Sequence, residues 1–114
     1  MTRYQHLDAV FAVNDQSAIG LALAARQLHR TDFIVTSVDG SPDIVTELKD
    51  KTSPIKASSA QNPAQMAYTA YGMAVDLFNG HKPMSNTMFL ATRLVTSENV
   101  ADFPGWSDLS ITGK

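Results

Sequence analysis

The chain has 114 residues, no cysteine and a formal net charge of -2, with 44% hydrophobic and 18% charged residues. This length allows one small domain, and the charge provides no basic field to hold nucleic acid or an anionic membrane. The lack of cysteine excludes disulfides and thiolate metal sites; it suits an oxidising compartment such as the periplasm, although cytosolic proteins can also lack cysteine. No apolar run is long enough for a transmembrane helix, and the first ten residues lack the apolar stretch of a signal peptide.

Strand-type runs alternate with helical patterns in the first half of the chain. Residues 8–13 are mostly β-branched, aromatic or alanine and predict a buried strand, and residues 15–28 then follow helical spacing. A second strand is predicted over residues 32–38. Ser41 followed by Pro42 predicts the start of a short helix over residues 41–50, with the serine as its N-cap.

The alternation continues in the second half. A third strand is predicted over residues 55–60, a long helix over 62–80 with Asn62 as its N-cap, and a last strand over 86–96, followed by a loop-like tail. This order predicts an α/β fold, a Rossmann-like, doubly wound parallel sheet with flanking helices and right-handed crossovers. Four strands are few for such a sheet, so we expect a piece of a larger protein.

Polar residues follow each of the first three predicted strands. Asn14, Asp39 and Gln61 occupy these positions, and open parallel sheets bind ligands at the carboxyl ends of their strands. The alternative is that such residues only cap helices, which fits Asp15 and Asn62 well.

Asp39 fits the capping role less well, because Ser41 already caps the following helix and Gly40 allows a tight turn. One carboxylate beside two amides suits a neutral polyhydroxylated ligand, since a carboxylate can accept hydrogen bonds from two adjacent hydroxyls.

Signals for catalysis are weak. The chain has no phosphate-binding loop and no nucleophile elbow, and His6, His29 and His81 lack the spacing of metal ligands. We therefore expect no enzyme activity, no metal and no cofactor. Trp106 could stack on a sugar ring, or it could simply cover the edge of the domain.

Four segments together resemble the C-terminal lobe of ribose-type periplasmic sugar-binding proteins, also called type 1 periplasmic binding proteins. They are VFAVNDQSAIG, SVDGSPD, SAQNPAQMA and RLVTSENV, and they occur in the family's order between Leu7 and Val100. The resemblance implies that Asn14, Asp39 and Gln61 contact a bound monosaccharide. Two departures, Val38 where phenylalanine is usual and Ala67 where glycine is common, spare these three positions.

The resemblance also implies an organisation. Residues 7–61 would be a βαβαβ segment of the C-terminal lobe, 62–85 a hinge and a helix that packs on the other lobe, 86–100 a returning strand and 101–114 a tail. The whole protein would be the periplasmic receptor of a sugar ABC transporter, which closes around its sugar without chemistry and delivers it to a membrane permease.

Two other functions stay open at this point. One is the effector domain of a LacI-type repressor, a close relative by fold, although such domains often have Asp-Asp after the second strand and a longer loop before it. The other is a small flavodoxin-like enzyme or response regulator, which predicts a phosphate loop or an acidic cluster that the sequence lacks. The apolar stripe of Met66, Ala70, Met73 and Leu77 on the long helix also predicts self-association into a homodimer.

Overall fold

The structure is a computed structural model that describes residues 3–83 and 85–106. Each of the seven predicted elements is present, most of them with shorter bounds. Residues 107–114 of the predicted tail and Met84 lie outside the described residues. The strands are β1 (Ala9–Phe11), β2 (Ile34–Asp39), β3 (Ile55–Ala60) and β4 (Arg93–Thr96), and the helices are α1 (Asp15–Gln27), α2 (Pro42–Lys49) and α3 (Pro63–Phe78).

The four strands form one mostly parallel sheet in the order β1-β2-β3-β4. β2 pairs in parallel with both β1 and β3, as predicted. The expectation of an entirely parallel sheet is wrong for β4, which runs antiparallel to β3 and pairs Arg93 with Ala60.

The direction of β4 follows from the path of the chain after β3. No residue of α3 is buried, so this helix does not lie back across a face of the sheet as a crossover helix would. Instead, 16 helical residues lead away from the end of β3. Residues 85–92 then return without strand structure, although residues 86–92 were predicted as part of the last strand. The chain therefore re-enters the sheet at the edge where it left, and β4 has to run in the opposite direction.

The core lies between the sheet and helices α1 and α2. α1 buries a face of small residues, which lets the helix backbone approach the strands closely. A 3₁₀ turn at Val100–Asp102 follows β4, and two residues of the predicted loop-like tail are buried with the core. No helix in residues 3–83 and 85–106 has the length and apolar character needed to span a bilayer. The main core residues are Ala18, Ala22, Ala25, Val35, Ile44, Leu48, Ile55, Val95, Val100 and Phe103.

Candidate functional site at the carboxyl edge of the sheet

Asp39 and Gln61 lie side by side where the parallel strands end. Asp39 is the last residue of β2, and Gln61 directly follows β3. The side-chain amide Nε2 of Gln61 donates a hydrogen bond to Asp39 Oδ1 at 3.0 Å, and the Gln61 backbone N–H donates to the Asp39 carbonyl at 2.9 Å. Both residues are half-buried, so their remaining polar atoms can face a ligand.

The backbone at Asp39 and Gly40 is unusual. Asp39 has a φ of 129°, a region that residues with a side chain avoid, and Gly40 follows with a φ of 71°. A Cβ atom on Gly40 would lie 2.3 Å from the Cβ of Ala60, so only glycine fits at this position. Such strain persists where the surrounding structure imposes it, and it is found preferentially at functional sites.

Asn14 has a structural role in addition to any binding role. It is the N-cap of α1, and its side-chain Oδ1 accepts a hydrogen bond from the Ser17 N–H at 2.8 Å. The prediction that Asp15 fits this capping position is therefore wrong by one residue. The prediction for Asn62 is confirmed, because its Oδ1 accepts a hydrogen bond from the Gln65 N–H at 2.8 Å.

Asp15 is a fully buried carboxylate beneath the site. Its Oδ1 accepts hydrogen bonds from the hydroxyls of Ser37 at 2.5 Å and Ser58 at 2.8 Å, and its Oδ2 accepts one from the Ser41 N–H at 2.7 Å. The Ser58 hydroxyl in turn accepts from the Gly40 N–H at 3.2 Å. Asp15 thus ties the start of α1 to β2, β3 and the turn after Asp39.

This network was not predicted from the sequence. Its only signal was a pair of serines, Ser37 and Ser58, in the middle of strands that are otherwise suited to burial. A polar residue in the interior of a buried strand needs a partner, and the carboxylate supplies it.

The N-terminus of α2 differs in detail from the prediction. Ser41 occupies the N-cap position and Pro42 follows it, as expected. The Ser41 side chain makes no capping hydrogen bond, however, and its Oγ is buried without a partner among the described residues. The turn is held instead by the backbone N–H of Ser41, which donates a hydrogen bond to the Asp15 carboxylate. The Ser41 side chain does not contribute to this contact.

A small cavity of about 160 Å³ adjoins the site, between Gln61, the first turn of α3 and residues 88–92. A larger cavity of about 480 Å³ lies at the opposite edge, beside Asp8, Asp32 and Lys56. We place the candidate site at the carboxyl edge, because the polar side chains of Asp39 and Gln61, from two neighbouring strand ends, meet there. Among residues 3–83 and 85–106, no group of three histidine or acidic side chains could hold a metal ion.

Comparison with known proteins gives a consistent result. The sequence profile of the periplasmic binding protein domain matches residues 1–82. The ribose import binding protein RbsB of Salmonella typhimurium is 32% identical over 82 residues, which are 72% of this chain and 27% of that protein. The chain therefore spans about a quarter of the length of this relative.

Solved structures agree with the sequence match. An ABC sugar transporter subunit from Rhodobacter sphaeroides is 31% identical, with a TM-score of 0.74 over 86% of this chain and 36% of that one. An ABC transporter solute binding protein from Agrobacterium vitis with bound allitol is 26% identical, with a TM-score of 0.75 over 84% of this chain and 33% of that one. Sequence and fold together show that this chain belongs to the periplasmic binding protein domain family.

Proposed function

We propose that this chain is part of the sugar receptor of an ABC transporter and that Asn14, Asp39 and Gln61 form its share of the monosaccharide site. The observation that carries the proposal is the Asp39–Gln61 pair at the carboxyl edge of the sheet. The similarity to a ribose import protein and to a solute binding protein that holds allitol supports a polyhydroxylated ligand.

The chemistry of the pair suits such a ligand. An ionised carboxylate has about four acceptor sites on its two oxygens, and Gln61 Nε2 uses one of them. The remaining sites can accept hydrogen bonds from neighbouring hydroxyls of a sugar, and these charge-assisted bonds are strong. The Gln61 side-chain amide adds a second N–H donor and an acceptor oxygen on the same edge, so a hydroxyl can be matched both as donor and as acceptor.

The proposed mechanism is closure around the ligand without a chemical step. Residues 7–61 would form the sheet side of the cleft, 62–85 the hinge and a helix that belongs to the opposite lobe, and 86–100 the return to the sheet. The exposure of α3 supports this division, since a helix of the other lobe would not pack on this sheet. The tail is assigned to residues 101–114.

The partners follow from the same proposal. In the whole protein they would be the monosaccharide and a membrane permease, with the receptor in the periplasm. Without another lobe to cover α3, the 114-residue chain would form a homodimer. No feature of the described residues favours the alternative of a LacI-type effector domain.

Titration of the ¹⁵N-labelled chain with D-ribose and allitol, followed by NMR, tests the site. We expect amide shifts centred on Asn14, Asp39 and Gln61, with a dissociation constant on the order of millimolar or weaker, because a half-site buries only one side of the ligand. Asp39→Asn should abolish the shifts, whereas Asp43→Asn, in the next turn, should leave them unchanged. The absence of sugar-dependent shifts at these residues, or micromolar binding by the chain alone, would contradict the proposal of a half-site.

A further inference from the structure

The segment formed by residues 100–106, which we call the closing segment, is packed against the domain. Val100 and Phe103 are buried in the core, and the guanidinium of Arg93 lies 5.8 Å from the centre of the Phe103 ring. The segment lies outside residues 1–82, which the family profile matches. Its contacts are therefore features of this chain that the family match does not describe.

The closing segment contacts the turn that carries Asp39. The indole Nε1 of Trp106 donates a hydrogen bond to the Asp39 carbonyl at 3.2 Å. Phe103 covers the same turn from the core side, since a Cβ on Gly40 would lie 3.1 Å from Phe103 Cζ. The Asp39 carbonyl thus accepts from two donors, the Trp106 indole and the Gln61 backbone N–H.

A carbonyl held by two donors has a fixed direction, and this fixes the peptide plane that follows Asp39. The positive φ of Asp39 needs such restraint, because a non-glycine residue would otherwise relax to negative φ. A change of φ would move the Asp39 carboxylate away from Gln61. Restraint of the backbone therefore controls the position of the carboxylate at the candidate site.

We propose that Trp106 is a positioning residue for Asp39, which holds the strained turn through its indole N–H and so keeps the carboxylate in place for a sugar. The proposal deepens the sugar-binding function and rests on it. Trp106 is 41% exposed, which fits a donor at the surface of the turn more closely than a core residue. The competing role, a cover for the edge of the domain, requires the ring but not its N–H.

The variant Trp106→Phe separates the two roles, because it keeps an aromatic ring and removes the donor. We expect the amide resonances of Asp39, Gly40 and Gln61 to move, and the dissociation constant for D-ribose to rise about threefold to tenfold, the range for loss of one neutral hydrogen bond. The urea midpoint should change little. Tyr4→Phe, a similar loss of one polar group from an exposed aromatic residue on the first described segment, is the control and should leave all three unchanged.

The indole itself gives a second measurement that needs no variant. Trp106 is the single tryptophan of the chain, so one indole N–H signal reports on this contact, and its hydrogen exchange should be slowed. Exchange at the rate of a free indole, or unmoved Asp39 and Gly40 resonances in Trp106→Phe, would overturn the proposal. Unchanged ribose affinity in that variant would overturn it as well.

A chain that does not bind sugar would give a result that differs from a failure of the positioning role. In that case the amide resonances of the unsubstituted chain would not shift when ribose is added. The positioning role would then be decided by the coupling constant between the Asp39 amide and Hα protons, which depends on φ. A coupling constant that is the same with and without the indole N–H would overturn the role.

Discussion

Asp39 combines a side chain that suits sugar recognition with a backbone that suits glycine. Its φ of 129° costs on the order of 1–3 kcal/mol for a residue that has a Cβ. If Asp39 binds sugar as proposed, stability and binding make opposite demands on this residue, which is the pattern expected at a functional site.

Two substitutions at Asp39 measure this strain. Asp39→Gly and Asp39→Ala both remove the carboxylate and its hydrogen bond from Gln61, but only glycine adopts positive φ without strain. We expect the glycine variant to have a free energy of unfolding higher by about 1 kcal/mol than the alanine variant, after allowing for the greater backbone entropy of glycine. Urea denaturation of both variants gives the difference. An alanine variant more stable than the glycine variant by about 0.5–1 kcal/mol, the backbone-entropy difference alone, would show that the turn carries no strain.

The residues of the site were predictable to different degrees. Asp39 and Gln61 could be placed together from sequence, because each follows a parallel strand and such strand ends share one edge. The role of Asp15 could not be predicted in this way. Its partners Ser37 and Ser58 come from β2 and β3, and only the packing of α1 on the paired strands brings the three residues together.

At the scale of elements, α1 and α2 are joined by a cluster of charged groups. Arg26 donates two hydrogen bonds to Glu47, at 2.8 and 3.1 Å, and a third to Asp50 at 3.3 Å. The Ser53 hydroxyl also donates to Glu47, at 2.7 Å. Burial alone would raise the pKa of Glu47, but the hydrogen bonds from Arg26 and Ser53 outweigh it and leave that pKa below its usual value.

This cluster predicts a loss of stability in acid. Because the pKa of Glu47 is lowered by folding, its contribution is complete above the unfolded pKa of about 4.3 and is lost as the pH falls through the lower folded pKa. Between pH 7 and pH 3, we expect the free energy of unfolding of Glu47→Gln to fall by about 1 kcal/mol less than that of the unsubstituted chain. The difference is no larger because solvent partly screens Arg26.

Urea midpoints at the two pH values measure this effect. Glu98→Gln, which removes an exposed carboxyl outside the cluster, serves as the control and should follow the unsubstituted chain. If both variants show the same loss of stability in acid, the contacts of Glu47 in this cluster do not contribute to stability.

The order and type of the elements were predictable because hydrophobic period and capping residues are local signals. The direction of β4 was not, because it depends on where α3 goes. A crossover helix and an outward helix can have the same sequence pattern, and α3 carries apolar residues on its surface in either case. The surface on which the apolar face of α3 packs would decide between a crossover and an outward path. The sheet of this chain is not that surface, because no residue of α3 is buried.

For the molecule as a whole, the feature that governs association is the exposed apolar surface of α3. Met66 is 46% exposed, Leu77 is 56% exposed and Phe78 is 92% exposed. The structure does not have a compact arrangement in which α3 folds back and buries Met66 within the same chain. Apolar surface on a helix without a partner favours association.

We expect the 114-residue chain to associate in a concentration-dependent way, through α3 of two copies. Exchange of α3 between copies is one route to such a dimer. Sedimentation at several concentrations tests this, with the double variant Met66→Lys, Leu77→Lys expected to shift the chain toward monomer. Leu23→Lys, at a similarly exposed position on α1, is the control. A monomer at every concentration would contradict the expectation.

The outward path of α3 also has a consequence for the order of folding. The residues that pair between β3 and β4 are further apart along the chain than those that pair in the two parallel ladders. The entropy of closing this longest loop must be lost before the pairing of β4 gives any stabilisation, which makes such contacts slow to form. We therefore expect β4 to join last, and the closing segment, which follows it, to reach Asp39 only then. The sheet would exist before its candidate binding edge does, and the positive φ of Asp39 would be imposed at the final step of folding.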